Sequence, residues 1–461
     1  MKRDHPIARR KRARGGYVLV LTLMGILGLA FFRAQVLRSQ DWELQSDSNR
    51  LRPLPLPAAR GTIFDRDGRV LADNVPGYSV ILLPSSRDTV RGTLARIAPF
   101  LDLTEERIQE LERRIRVAPG QPLTVKVNAD FEEVSAVEER RSWFPGLYLE
   151  TRPRRRYLSG ESVAHVMGYL GEVTSRELEE PFFQDYESGT IVGKDGVERQ
   201  YEKALQGGEG TRYVEVDARG RIVGSFRGQR AREPVPGEDL SLNVDQALQE
   251  WVHRIFPDTM RGAVVALNVE DGGILALYSA PTFDPNAFVG GIASDRWEAL
   301  LQNPDQPLLN RATQGLYPPG STWKLATAAI ALDLGVVEPH EIMPEPCTGG
   351  MAFGNRYWRC WDPEGHGEVD LLGGIRHSCN VYFYQVGLRI GLERLLQEGT
   401  RIGFNQKCGI DLPSEAQGQF PEGPSYWERT RGYRPTEGEV LNLAIGQGPN
   451  SQTPLKMAQF Y

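Results

Sequence analysis

The sequence predicts an α+β protein that carries one N-terminal transmembrane helix and an antiparallel sheet packed against helices. Three observations support this prediction. An uncharged apolar run follows a basic tail, at residues 15–32. Two apolar strand candidates, 262–269 and 274–279, flank the hairpin signal Glu-Asp-Gly-Gly. A strongly apolar helix is expected soon afterwards, at 321–334, and it should lie against that sheet.

Length and charge limit the class of protein. A chain of 461 residues with 40% hydrophobic residues can form two to four domains. Residues 1–14 contain seven Lys/Arg and one acidic residue, so the remainder has 47 basic and 59 acidic residues, a net charge of −12. This negative balance argues against a nucleic-acid partner.

The apolar run predicts a membrane anchor at residues 15–37. Its length of about 16 to 20 apolar residues approaches that needed to cross a bilayer, provided that Arg33 extends its charge to the interface. The basic tail at 1–14 predicts a cytoplasmic N-terminus, with the rest of the chain on the outer, periplasmic side of the membrane. A cleaved signal peptide is the alternative, but the small residues of Gly28-Leu29-Ala30 lie inside the apolar run.

Residues 38–235 are predicted to form a small α+β module, called the pedestal below. It begins with a strand, an Asp-Gly turn and a second strand at 60–72. Two helices are expected within 87–117, the second with Thr104 as its N-cap, and strands are expected at 124–128 and 147–151. Pro234, Pro236 and Gly237 mark a break before a second domain at 239–461.

The second domain contains the most reactive pattern in the sequence. A strand at 239–244 and a helix at 246–255 precede the hairpin, and a Pro-Pro-Gly turn then leads to Ser321. Lys324 follows three residues later, so both side chains lie on one face of a helix and the amine can act as the base for the hydroxyl. Such a pair is common by chance, and its meaning depends on the context.

A second motif, Ser378-Cys379-Asn380, precedes another apolar helix. Ser-x-x-Lys followed by Ser-x-Asn is the order of motifs in penicillin-recognising acyl-serine transferases. The segment 317–324 resembles the active-site block of class B penicillin-binding proteins, most closely the elongation type, penicillin-binding protein 2. The pedestal resembles the same family at Arg60-Gly61, Arg156-Tyr157, His165 and Gly196 with Glu198 and Tyr201, and the resemblance extends to Gly446-Gln447-Gly448.

The sequence departs from the family at one place. A Lys-Thr/Ser-Gly motif, which the family has on a strand beside the active site, does not occur before Tyr461. We therefore expect a C-terminally incomplete transpeptidase domain of β-lactamase-like fold, and loss of activity in this form would follow.

The resemblance implies a peptidoglycan D,D-transpeptidase that cross-links D-Ala-D-Ala stem peptides during cell elongation and is acylated by β-lactams. It gives Ser321 the role of nucleophile, Lys324 that of base, Ser378 that of proton relay and Asn380 that of substrate anchor, with no cofactor required for catalysis. It also implies contact between the pedestal and a membrane glycan polymerase of the elongation machinery. Two other functions remain open: a β-lactam-hydrolysing or β-lactam-sensing protein, and a non-catalytic membrane scaffold for cell-wall synthases.

Three cysteines and a histidine suggest a metal site. Cys347, Cys360, His366 and Cys379 supply the sulfur and nitrogen ligands of a closed tetrahedral zinc site, although their spacing matches no standard finger. Cys379 lies between Ser378 and Asn380, so its side chain should point to the opposite side of the motif. A disulfide between Cys347 and Cys360 is the main alternative in an oxidising compartment, followed by free thiols. Cys408 is expected to be a lone thiol.

Overall fold

The structure is a computed structural model that describes residues 6–33, 51–83, 87–117, 122–144, 146–186, 189–216, 222–226 and 231–461. The strands in chain order are β1 (Leu51–Leu56), β2 (Ile63–Phe64), β3 (Val70–Leu82), β4 (Leu123–Ala129), β5 (Leu147–Tyr157), β6 (Leu170–Glu172), β7 (Ile191–Gly193), β8 (Gly210–Val216), β9 (Ile222–Phe226), β10 (Leu240–Ser241), β11 (Gly262–Leu267), β12 (Ile274–Ala280), β13 (Gly350–Phe353) and β14 (Arg356–Arg359). The first helices are α1 (Pro6–Phe32), α2 (Arg87–Ile97), α3 (Glu105–Val117), α4 (Phe131–Glu139), α5 (Ala164–Met167), α6 (Gly196–Gln200), α7 (Glu202–Leu205) and α8 (Gln246–Ile255). They are followed by α9 (Ser294–Gln302), α10 (Lys324–Asp333), α11 (Leu371–Arg376), α12 (Asn380–Ile390), α13 (Leu392–Ile402), α14 (Ser425–Arg431), α15 (Gly438–Ala444) and α16 (Pro454–Phe460).

Helix α1 begins at Pro6, within the predicted basic tail, and contains residues 15–32 of the predicted membrane anchor. Its segment Gly15–Phe32 is long and apolar enough to cross a bilayer, and its side chains are exposed. This helix fits a single-pass membrane anchor. The predicted end of the anchor, at residues 34–37, lies outside the described residues, as do 1–5 and 38–50.

One compact unit contains residues 1–58, 76–153 and 208–235. In this unit β1, β8 and β9 form an antiparallel sheet, and β4 pairs with the end of β3. Leu94, Leu111 and Val125 bring α2, α3 and β4 into one hydrophobic core. The predicted helices and strands of this region are confirmed, and Thr104 accepts a hydrogen bond from the Arg107 amide, as an N-cap does.

The second compact unit contains residues 59–75, 154–207 and 236–461. The predicted hairpin at 60–72 is present, since β2 pairs antiparallel with the start of β3. In the turn between them, the Asp65 carboxylate accepts hydrogen bonds from the Asp67 and Arg69 amides. Strand β10 is shorter than the predicted strand at 239–244, since its partner β2 has only two residues. Strands β11 and β12 form the predicted antiparallel pair, which helix α8 covers.

Several of the polar residues noted in the pedestal sequence meet in a buried ion-pair network of this second unit. Glu198 is fully buried and accepts hydrogen bonds from Arg60 and from Arg155, at 2.7 Å for Arg155. Glu202 binds Arg60 at 2.6 Å. Each buried charge therefore has a partner of opposite sign, which buried ions require.

The compact units draw on interleaved segments of the chain. Residues 59–75 and 154–207, which belong to the predicted pedestal, pack within the same unit as residues 236–461. The domain limits 38–235 and 239–461 stay a prediction, because compact units and sequence domains need not share their limits.

Candidate active site

The predicted nucleophile lies on a tight turn. Gly320 has a φ of +56°, and a single 3₁₀ turn, Gly320–Trp323, leads into α10. Trp323 is fully buried, with its ring centroid 4.2 Å from that of Phe404. Because Trp323 anchors the turn, Ser321 stays at the surface, at the start of a helix whose remaining residues are mostly buried.

Lys324 connects the two predicted motifs. Its side chain is 2% exposed, and its Nζ donates hydrogen bonds to the Ser378 carbonyl at 2.7 Å, to Ser378 Oγ at 3.0 Å and to Asn380 Oδ1 at 2.7 Å. Lys324 and Asn380 are the first residues of α10 and α12, two helices that are in contact; Ser321 lies in the 3₁₀ turn before α10, and Ser378 lies two residues before α12.

Burial lowers the pKa of Lys324 to about 8. A lysine with this pKa is partly neutral near pH 7, and a neutral amine can accept a proton. The Ser321 hydroxyl makes no hydrogen bond with any residue that the structure describes, so the predicted direct bond between amine and hydroxyl is not formed here. Catalytic hydrogen bonds are often looser in a protein without substrate.

The Ser378-Cys379-Asn380 segment is held in an unusual conformation. Ser378 has a φ of +51°, a strained region for a residue other than glycine, and such strain concentrates at functional sites. Cys379 is the N-cap of α12, and its Sγ accepts a hydrogen bond from the Tyr382 amide at 3.5 Å. As a result, Ser378 and Asn380 face Lys324, and Cys379 is completely buried on another side.

A segment far along the chain supports the serine turn. The Gly320 amide donates to the Gly446 carbonyl at 2.9 Å, and Tyr317 and Gln452 exchange two backbone hydrogen bonds. A Cβ atom on Gly446 would lie 2.2 Å from the Gly320 carbonyl oxygen, so only glycine fits there. The Gly-Gln-Gly sequence marks this segment, but its spacing does not indicate which turn it touches.

Comparisons with known proteins agree with this geometry. The penicillin-binding protein dimerisation domain matches residues 55–242, and the penicillin-binding protein transpeptidase domain matches 262–461. Peptidoglycan D,D-transpeptidase MrdA of Acinetobacter baumannii is 36% identical over 99% of this chain and 69% of its own length. The corresponding Escherichia coli protein is 33% identical over 97% of this chain and 71% of its own length.

The chain belongs to the PBP2 (MrdA) family of penicillin-binding proteins. A solved complex of Helicobacter pylori PBP2 with MreC resembles it with a TM-score of 0.74 and 28% identity, covering 88% of this chain and 76% of that one. The fold class expected from the sequence, dimerisation and transpeptidase domains with one N-terminal apolar helix, is confirmed.

A second cluster of reactive side chains includes Cys379, the residue between Ser378 and Asn380. The ligand atoms of Cys347, Cys360, His366 and Cys379 all lie within 4.8 Å of one another. His366 Nδ1 is 3.6 Å from the sulfur atoms of both Cys347 and Cys360. All four cysteines of the chain are free thiols, so the alternative disulfide between Cys347 and Cys360 is not present.

Two hydrogen bonds link Asn380 to Cys360 of the cluster and to the residue before it. Cys360 Sγ accepts a hydrogen bond from the Asn380 amide at 3.4 Å, and the Arg359 carbonyl accepts one from Asn380 Nδ2 at 3.4 Å. The sequence motifs do not predict the contact of Arg359 with Asn380. In the sequence, the only indication of a role for Arg359 is its position next to Cys360.

Proposed function

We propose that this chain is a peptidoglycan D,D-transpeptidase that cross-links stem peptides during cell elongation through an acyl-serine intermediate on Ser321. The observation that carries the proposal is the buried amine of Lys324, the residue three positions after Ser321. In this chain of the PBP2 family, the amine donates hydrogen bonds to both Ser378 and Asn380. The substrate is the D-Ala-D-Ala end of a stem peptide, and β-lactams compete for the same serine.

In the first half-reaction the Ser321 hydroxyl attacks the carbonyl carbon of the penultimate D-alanine. Lys324, in its neutral form, accepts the hydroxyl proton as the new ester bond forms. Ser378, whose Oγ lies 3.0 Å from Lys324 Nζ, passes its proton to the departing nitrogen as the C–N bond breaks and recovers a proton from Lys324, so D-alanine leaves and the lysine is neutral again. The Ser321 backbone amide stabilises the negative charge that develops on the carbonyl oxygen.

In the second half-reaction the amine of a neighbouring stem peptide attacks the acyl-serine ester. Lys324 takes up a proton from that amine as the new peptide bond forms and returns it to the Ser321 oxygen as the ester bond breaks, which restores the hydroxyl. Asn380, whose Oδ1 is fixed by Lys324 at 2.7 Å, positions the substrate amide. The chain's own residues supply these steps, and no cofactor takes part in them.

Labelling of the full-length protein with a fluorescent penicillin tests the nucleophile and the base. We expect Ser321→Ala to abolish labelling, because no ester can form, and Lys324→Ala to slow it about 100-fold or more, because the base is lost. Thr322→Ala is the matched control, since this exposed hydroxyl bonds only the Pro319 carbonyl among the described residues. Undiminished labelling of Ser321→Ala would refute the proposed mechanism, and release of the label within seconds would indicate a β-lactamase.

The apolar helix and the charge distribution support a location in the cytoplasmic membrane. We propose a single-pass protein with its basic N-terminus in the cytoplasm and residues 38–461 on the periplasmic side. The pedestal, 38–235, would then lie on the same side as peptidoglycan and would contact a membrane glycan polymerase and other elongation proteins. The H. pylori relative in complex with MreC supports a partner of this class.

We also propose that the Cys347, Cys360, His366 and Cys379 cluster holds a structural zinc ion. A tetrahedral zinc with bonds of about 2.3 Å to sulfur and about 2.0 Å to nitrogen places these atoms about 3.6 Å apart. The two distances from His366 Nδ1 to sulfur have this value. The ion would fix the loop before Gly367 to the Ser378-Cys379-Asn380 segment, and it would take no part in the acyl-transfer steps.

A further inference from the structure

A row of exposed side chains lies on the hairpin beside the proposed active site. Side chains of an extended segment alternate between its two faces. Trp358 and Cys360 are buried, whereas Tyr357, Arg359 and Trp361 are exposed. We call these three exposed side chains the hairpin ridge; it begins on β14 and ends two residues beyond it.

The backbone of the hairpin ridge is fixed to the catalytic segment. The Arg359 carbonyl accepts hydrogen bonds from Asn380 Nδ2 at 3.4 Å and from the Tyr384 hydroxyl at 3.1 Å. Trp361 Nε1 donates to the carbonyl of His377, the residue before Ser378, at 3.0 Å. The ridge therefore keeps a defined position beside the segment that contains Ser378 and Asn380.

The side chains of the ridge have binding capacity that the protein itself leaves unused. The Arg359 guanidinium forms no ion pair with any residue in the described part of the chain, whereas Arg389 pairs with Glu341. The Trp361 ring lies 5.3 Å from that of His366 but remains 63% exposed. The Trp361 side chain, held by its bond to His377, loses little conformational entropy when it binds a ligand, and tryptophan and arginine dominate many binding surfaces.

We propose that the hairpin ridge is a binding subsite for a peptidoglycan stem peptide, with Arg359 pairing with a peptide carboxylate and Trp361 packing against the peptide chain. This inference rests on the proposed function. Two observations favour a stem peptide as the occupant. Its carboxylates complement the unpaired Arg359, and the ridge is continuous with Asn380, which positions the reacting amide.

Cross-linking kinetics of the membrane-embedded protein test the subsite. The probe is uncross-linked peptidoglycan strands that carry pentapeptide stems, and fluorescent penicillin measures acylation of Ser321 in parallel. We expect Arg359→Glu and Trp361→Ala each to raise the KM for the strands about tenfold, because a charge-assisted bond or a packing surface is lost. Penicillin acylation should change much less than this KM, because neither substitution removes the Arg359 carbonyl that accepts the hydrogen bond from Asn380 Nδ2.

Conservative variants separate binding from a merely structural role. Trp361→Phe keeps a ring but loses the bond to His377, and Arg359→Lys keeps the charge, so both should retain a KM close to that of the parent. Arg296→Glu, the same change of charge at an exposed position on α9, is the matched control and should leave the KM unaltered.

The outcomes distinguish this inference from the proposed function. An unchanged KM in both Arg359→Glu and Trp361→Ala, with normal penicillin labelling, would overturn the subsite and leave the transpeptidase proposal intact. Loss of penicillin labelling in these variants would also overturn it, because the ridge would then support the fold of the site. Labelling that persists in Ser321→Ala would instead refute the proposed function.

Discussion

At the scale of single residues, His165 links folding to pH. It is almost fully buried, its Nε2 lies 2.9 Å from the Pro307 carbonyl, and burial lowers its pKa to about 4. In the unfolded chain a histidine has a pKa of about 6.5, so between these values the unfolded chain binds a proton that the folded protein excludes. The stabilisation is complete above pH 6.5 and decreases as the pH falls to 4, by about 3 kcal/mol in total. Denaturant unfolding at pH 7.5 and pH 5.0 should therefore show a larger loss of stability in the parent than in His165→Gln. Equal losses in the two proteins would show that His165 does not titrate in this way.

At the scale of elements, we expect the loop from Cys347 to Gly367 to depend on the proposed zinc ion. Its ends are joined by backbone hydrogen bonds between Cys347 and Gly367, and the loop contributes two thiols and His366 to the cluster. Protein purified without chelator should contain about one zinc per chain, and His366→Ala should lose the metal together with about 2 kcal/mol or more of stability. Elemental analysis and thermal unfolding measure the two effects. Cys408→Ser is the control, because this thiol lies outside the cluster and its removal should change neither quantity. A metal-free parent of unchanged stability after chelation would contradict the zinc proposal.

At the scale of the whole molecule, we expect the orientation in the membrane to be set by the seven basic residues before the apolar segment Gly15–Phe32. A fluorescent protein fused to the N-terminus should fluoresce in the cytoplasm, and alkaline phosphatase fused after Tyr461 should be active in the periplasm. Replacing those seven residues with glutamine should reduce phosphatase activity, because it removes the charge asymmetry that sets the orientation. An active phosphatase at the N-terminus would contradict the proposed topology.

The sequence was informative where the structure depends on neighbouring residues. Helix α8 and the β11–β12 pair follow from local periodicity, and Ser321, Lys324, Ser378 and Asn380 follow from two short motifs, which the structure brings together. The interleaved compact units and the support of Gly320 by Gly446 could not be predicted, because contacts between distant segments leave no local pattern. The hairpin ridge was missed for the same reason, since alternation shows which side chains share a face but not what lies beside that face.

The tight contact between Gly320 and Gly446 also bears on how drug resistance could arise. Any side chain at Gly446 would collide with the backbone that presents Ser321, and the serine must be presented both to the natural substrate and to a β-lactam. A substitution here would impair both reactions together, so a cell whose protein reacted less with the β-lactam would also lose the cross-linking that it needs. We expect selection under antibiotic to favour changes at surfaces that the substrate and the drug contact differently, and to leave Gly446 unaltered.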